Sequence, residues 1–257
     1  MNLEVLLRRA VLTLIFLVPF IPLIVAPGFF FPFITGKNFA FRIIVELLLG
    51  LWIVWLLRSP EISPRKSLIM WAFGIFVVVI ALADIFGMAP YKSIWSNFER
   101  MEGLVTLLHL FAYFVVVGSV LKTEGWWTGL FKTSLGVSTF LVGYSLLQAG
   151  GLFSISQSDI RVDATLGNAT YLAAYMLFHI FLALFLFLRH KGAPWVRYVY
   201  GALIIGQLIT LYLTATRGAM LGLLGGLIIA ALYIIWKGNN PLFKRFAFGG
   251  LAGVVFL

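Results

Sequence analysis

Apolar residues fall in long unbroken runs near residues 10–33, 39–57, 68–87, 104–121, 126–149, 169–188, 195–214 and 218–236, and a further run begins at about 246 and reaches Leu257. The runs do not alternate with the period of two that a membrane barrel strand requires. A helix crosses a hydrocarbon core of ~30 Å with about 20 residues, so the pattern predicts about eight complete spanning helices. The last run, with 12 residues, is too short to cross and predicts a truncated ninth. The expected fold class is all-α, a polytopic integral membrane helix bundle. Residues 1–257 are expected to form a single transmembrane domain, the N-terminal part of a longer protein. The first run follows Arg8-Arg9 and holds Pro19, Pro22, Pro27 and Pro32. It is too long for a signal peptide and lacks a small-residue cleavage site, so it predicts a retained, kinked helix.

Composition removes the soluble alternative. The chain is 62% hydrophobic and 11% charged, whereas a soluble domain carries about 25% charged residues. Cysteine is absent, which excludes a disulfide framework, a thiolate metal site and a cysteine nucleophile.

Charge then orients the bundle. With the N-terminus in the cytoplasm, 13 of the 19 Lys and Arg fall on the inner side, leaving Lys37, Arg42, Lys92, Arg100, Arg161 and Arg217 outside. This bias is the one that sets membrane orientation. Three acidic residues fall inside and six outside, so the whole net charge of +10 faces the cytoplasm. It is read as attraction to anionic head groups, with no role for nucleic acid. The inner loops are short, and the outer face carries two longer segments, 88–103 and 150–168, where chemistry is expected.

Arg217 stands in Thr214-Ala215-Thr216-Arg217-Gly218, between two runs with almost no loop. An arginine at the membrane boundary is either functional or one that snorkels to the head groups. Gly218, Gly222 and Gly226 follow as a small-residue stripe that admits a neighbouring helix. Arg161 precedes Thr165, Gly167 and Asn168, and Asn168 is placed to cap the sixth span. An arginine beside a helix N-terminus makes an anion site, unless Arg161 simply pairs with Asp159 or Asp163. Arg100 lies between Glu99 and Glu102, as part of a surface ion network or as a third basic group at the site. His109 and His179 read as neutral bundle histidines, and Arg42 with Glu46 as an i, i+4 helix ion pair. The sequence contains no convincing metal cluster, phosphate loop or Ser-His-Asp order. The span midplanes hold little polar beyond His179.

Two blocks, Arg161-Val162-Asp163-Ala164-Thr165-Leu166-Gly167-Asn168 leading into Tyr171-Leu172-Ala173-Ala174-Tyr175, and Leu213-Thr214-Ala215-Thr216-Arg217-Gly218-Ala219, resemble the O-antigen ligase family of bacterial membrane glycosyltransferases. Phe98-Glu99-Arg100-Met101-Glu102-Gly103-Leu104 adds to the resemblance, which runs from about residue 90 to 236. The family usually has Gly at the position of Ala164, and often Pro-Asn where Ala169-Thr170 stands. The resemblance implies a glycosyltransferase or ligase of the bacterial inner membrane. It would move a glycan from a polyprenyl-pyrophosphate carrier to a glycan, lipid or protein acceptor, such as lipid A core, on the periplasmic face, without metal or cofactor. It implies that Arg161 and Arg217 hold the pyrophosphate, with Gly167, Asn168, Thr216 and Arg100 as further substrate-binding candidates. The family's acceptor-activating histidine sits on a large periplasmic segment late in the chain. It is expected beyond Leu257, so no catalytic residue is assigned. O-antigen polymerase and protein O-oligosaccharyltransferase activities fit the same features. From another class, so does a flippase or transporter of lipid-linked glycans.

Overall fold

The computed structural model describes residues 3–97, 102–156, 160–237 and 244. Among them the chain forms nine α-helices and no strand: α1 (Leu3–Leu17), α2 (Thr35–Arg58), α3 (Leu68–Ile85), α4 (Pro90–Trp95), α5 (Leu104–Val120), α6 (Glu124–Ala149), α7 (Ala169–Arg189), α8 (Pro194–Leu213) and α9 (Arg217–Lys237). Seven helical segments are long and apolar enough to cross a membrane. The eighth expected span is α5, whose 17 residues extend about 26 Å. The run from 246 to Leu257 lies outside the described residues.

The first span differs from its expectation. Helix begins at Leu3, so Arg8 and Arg9 lie inside α1, and the segment leaves helical geometry after Leu23. Proline accounts for both the tightening and the end. Val18–Leu23 narrows to a 3-10 turn with Pro19 in its first positions and Pro22 inside it, because each ring removes a backbone N–H. Pro27 and Pro32 hold the following stretch out of helix.

The solvent these helices require is visible in what they expose. Leu68 is 88% exposed, Ile229 70% and Trp236 78%. Helix α9 has no buried residue at all, and α3 buries only Val77. Contiguous apolar faces of this kind are not left in water. The chain is a multi-pass membrane protein.

The fold divides within α6 into two compact units, Met1–Leu141 and Val142–Leu257. In the first, Leu7, Val11 and Ile15 of α1 recur at four-residue spacing and pack with Leu48, Trp52 and Trp55 of α2, Val116 and Val117 of α5, and Leu130 of α6. Ser59, just past α2, donates to Glu4 at the start of α1 (2.6 Å), so these helices run antiparallel. Helices α2 and α5 run parallel: Arg42 reaches Thr106 and, one turn on, Glu46 meets His109. Gly103, just before α5, fits against α4 as only glycine can, since a Cβ there would stand 2.4 Å from the Ile94 carbonyl oxygen.

In the second unit α7 and α8 form an antiparallel pair, joined by residues 190–193. Helix α9 runs parallel to α7 along the expected glycine stripe. A Cβ on Gly222 would lie 3.3 Å from Leu177, and one on Gly226 2.6 Å from the Phe181 ring. Gly218, the first member of the stripe, has open space around it.

Candidate functional site

Parallel packing of α7 and α9 brings both helix N-termini to the same end of the second unit, and the sequence-predicted residues gather there. Asn168 caps α7, its side-chain oxygen accepting from the Thr170 N–H at 2.8 Å. Gly167 before it is left-handed, with φ of 65°, a geometry that glycine adopts without a Cβ clash. Thr216 immediately precedes α9, its carbonyl accepting from the N–H of Met220. Arg217 is the first residue of α9 and is exposed.

Arg161 ties the long segment 150–168 to this end. Its Nε donates to the Thr214 carbonyl at 2.7 Å, and its Nη2 donates to Thr216 Oγ1 at 2.9 Å. The guanidinium therefore brackets the α8–α9 turn, closing on the residue next to Arg217. The turn needs such a bracket. Ala215 within it has φ of 47°, left-handed and unfavourable for any residue with a Cβ.

A buried polar knot fixes the chain two residues on from Arg161. Gln148, on the last turn of α6, is 3% exposed and Asp163 only 1%. The Gln148 amide nitrogen donates to Asp163 Oδ1 and to the Ser154 carbonyl, both at 2.8 Å. Its amide oxygen accepts from the N–H groups of Asp163 (3.2 Å) and Ala164 (2.8 Å). Asp163 Oδ2 accepts from the Ser156 N–H. The Asp163 carboxylate is thus engaged by Gln148 and Ser156, two residues along the chain from Arg161. Asp159 and Arg100 lie outside the described residues.

Electrostatically, this end carries two guanidinium groups and two helix N-termini, each with partial positive charge from its leading N–H groups. Arg161 also satisfies a carbonyl near the end of α8. The exposed Arg217 guanidinium beside these N-termini suits an anion with several oxygens, because a guanidinium fork binds oxygens bidentately. No group of three or more His, Cys, Asp or Glu able to hold a metal ion exists among the described residues.

Gln148 was not singled out by sequence, although a lone amide ending a long apolar run must find hydrogen-bond partners. A buried polar face around α8 also goes unmarked by the sequence pattern. Gln207 and Thr210 on α8, and Thr214 just past its end, are fully buried at helical spacing, and Ser145 is fully buried towards the end of α6. Thr and Ser pass as neutral in an apolar run, which hid this face. His179 is buried, its Nδ1 2.8 Å from the Tyr175 carbonyl, and it stacks on the Tyr175 ring.

No protein-family model, curated protein or solved structure matches this chain.

Proposed function

We propose that the end of the second unit built by Arg161, Thr216 and Arg217 binds the pyrophosphate of a polyprenyl-linked glycan, and that the protein transfers this glycan to an acceptor on the periplasmic face of the bacterial inner membrane. The observation that carries the reading is the bracket from Arg161 to Thr214 and Thr216 beside the exposed Arg217. In the transfer, the acceptor oxygen or nitrogen bonds to the anomeric carbon while the bond from that carbon to the pyrophosphate oxygen breaks. Negative charge gathers on the departing pyrophosphate. Fixed guanidinium groups and helix N-termini stabilise that charge without having to reorganise, and no metal is needed. Acceptor activation is assigned to no described residue.

The resemblance to O-antigen ligases supports this reading, and one departure from that family acquires a physical meaning. The family usually has glycine at the position of Ala164, and Ala164 here has φ of 46°, the region glycine occupies most easily. Ligase, polymerase and protein-glycosylating activities share this donor chemistry.

The test is binding of a polyprenyl-pyrophosphate glycan to the protein in nanodiscs, with the monophosphate as control. Arg217→Ala, which removes an exposed side chain, is expected to weaken pyrophosphate binding at least tenfold with the melting temperature unchanged. Arg161→Lys is expected to weaken it as well, since lysine cannot fork onto the turn. Equal affinity for both lipids, untouched by either substitution, would sink the proposal.

A flippase or transporter is the second reading. The buried Gln207 and Thr210 on α8 favour it, because polar residues inside a span line substrate paths. It expects wild type to move a fluorescent lipid-linked glycan across liposomes and Thr210→Val to abolish that movement, whereas the transferase reading expects no movement by either.

A further inference from the structure

The first unit contains a separate titratable cluster, and hydrogen-bond geometry assigns it a proton. His109 Nδ1 lies 2.7 Å from the Val105 carbonyl oxygen. A carbonyl only accepts, so Nδ1 carries a hydrogen. The other ring nitrogen, Nε2, lies 3.2 Å from Glu46 Oε1. For that contact to be a hydrogen bond, a proton must sit between the two atoms, on imidazolium or on carboxylic acid. Neutral imidazole facing bare carboxylate would set two lone pairs against each other.

The location makes this more than helix-to-helix glue. Glu46 is eleven residues beyond Thr35, the first residue of α2, or about 16 Å along the axis. It is thus well inside a spanning helix, with 66% of its side chain exposed on the unit surface. A carboxylate there costs more on insertion than an interhelical hydrogen bond returns. Arg42, one turn earlier on α2, is held to Thr106 Oγ1 at 2.9 Å and sets a fixed positive charge beside the pair. Of the elements packed around it, α5 also carries Tyr113, whose hydroxyl donates to the Ile15 carbonyl. Helix α1 carries Glu4, Arg8 and Arg9 on its first turns, where Glu4 accepts from Ser59 beyond the far end of α2. The turn Pro60–Ile62 past that end carries Glu61. Lys37 folds back to the Phe33 carbonyl, and α3 and α4, packed on α5, carry Asp84, Tyr91 and Lys92.

We propose that Glu46 and His109 form a proton-binding site inside the membrane, holding one proton between His109 Nε2 and Glu46 Oε1 and open to the lipid-facing surface of the unit. The site is independent of the pyrophosphate reading.

Two readings locate the proton in liposomes at pH 7. Nitrogen-15 NMR of histidine-labelled protein reports whether His109 Nε2 is protonated. Dicyclohexylcarbodiimide, which enters bilayers and couples only to protonated carboxyl groups, reports Glu46 through a mass-identified adduct. Either an imidazolium signature at His109 or an adduct on Glu46 is expected, and Glu46→Gln should remove whichever is found. His109→Gln retains an N–H donor to Glu46 and controls for packing. It should leave the melting temperature within a few degrees while changing the carbodiimide reaction rate at least fivefold. A bare Nε2 with no adduct on Glu46 would overturn the proposal, as would a Glu46 reaction rate unchanged by His109→Gln.

Discussion

Among the described residues, three that are not glycine, Ser96, Ala164 and Ala215, hold positive φ. A left-handed conformation costs an L-residue roughly 1–2 kcal/mol, so each marks a place where surrounding contacts override local preference. At Ala215 the override is the grip of Arg161 on the flanking carbonyl and hydroxyl. Ala215 is exposed, so removing its methyl group leaves no cavity. Ala215→Gly is therefore expected to stabilise the protein or leave it unchanged, by up to about 1 kcal/mol after the entropy of the freer unfolded chain is subtracted. A melting curve in detergent checks this, and a loss of several degrees would show that the turn is not strained. Sequence made Asn168 legible as a cap because its side chain acts on its own helix. Gln148 was opaque for the opposite reason: its partners lie up to 16 residues away, in a segment whose path sequence does not reveal. Arg42 and Glu46 show the same limit. Their i, i+4 spacing predicts a mutual pair, yet each also reaches a residue of α5 more than sixty positions on.

Between elements, the glycine stripe of α9 is the clearest case of a pattern read correctly for its purpose and resolved only by packing. Gly222 and Gly226 admit Leu177 and Phe181 of α7, whereas Gly218 meets nothing within 4 Å. Gly226→Ala forces a methyl group to within 2.6 Å of the Phe181 ring and is expected to destabilise by about 1–3 kcal/mol. Gly218→Ala, at an open helical position, should be neutral or gain a few tenths of a kcal/mol in helix propensity. Equal losses at both positions in a denaturation series would show that α9 does not lie on α7 this way. Helix limits elsewhere follow local chemistry: Pro90 and Pro194 start α4 and α8, and Ser67 caps α3. The apolar run at 10–33 extends past the first helix because hydropathy cannot distinguish an apolar helix from an apolar proline-broken segment.

At the scale of the whole chain, the apolar runs made nearly every span legible, since length and hydropathy alone define a crossing. Orientation rests on the distribution of Lys and Arg, and it is open to direct measurement. The absence of cysteine lets single cysteines be placed without removing any first. Lys92→Cys and Ser154→Cys are expected to react with a membrane-impermeant maleimide in intact cells. Lys66→Cys and Lys191→Cys should react only after the inner face is opened. The inverse labelling pattern would turn the protein over and move the Arg161 site to the cytoplasm.

The parallel pairing of α2 with α5 has a consequence during synthesis. Arg42 and Glu46 enter the membrane before the chain that supplies Thr106 and His109 exists, and 63 residues separate Glu46 from His109. At roughly 5–20 residues per second, α2 waits on the order of 3–13 s with an arginine and a carboxylate facing lipid. The yield of folded protein is therefore expected to change when translation between α2 and α5 is slowed or sped, which a series of synonymous codon changes in that stretch would measure.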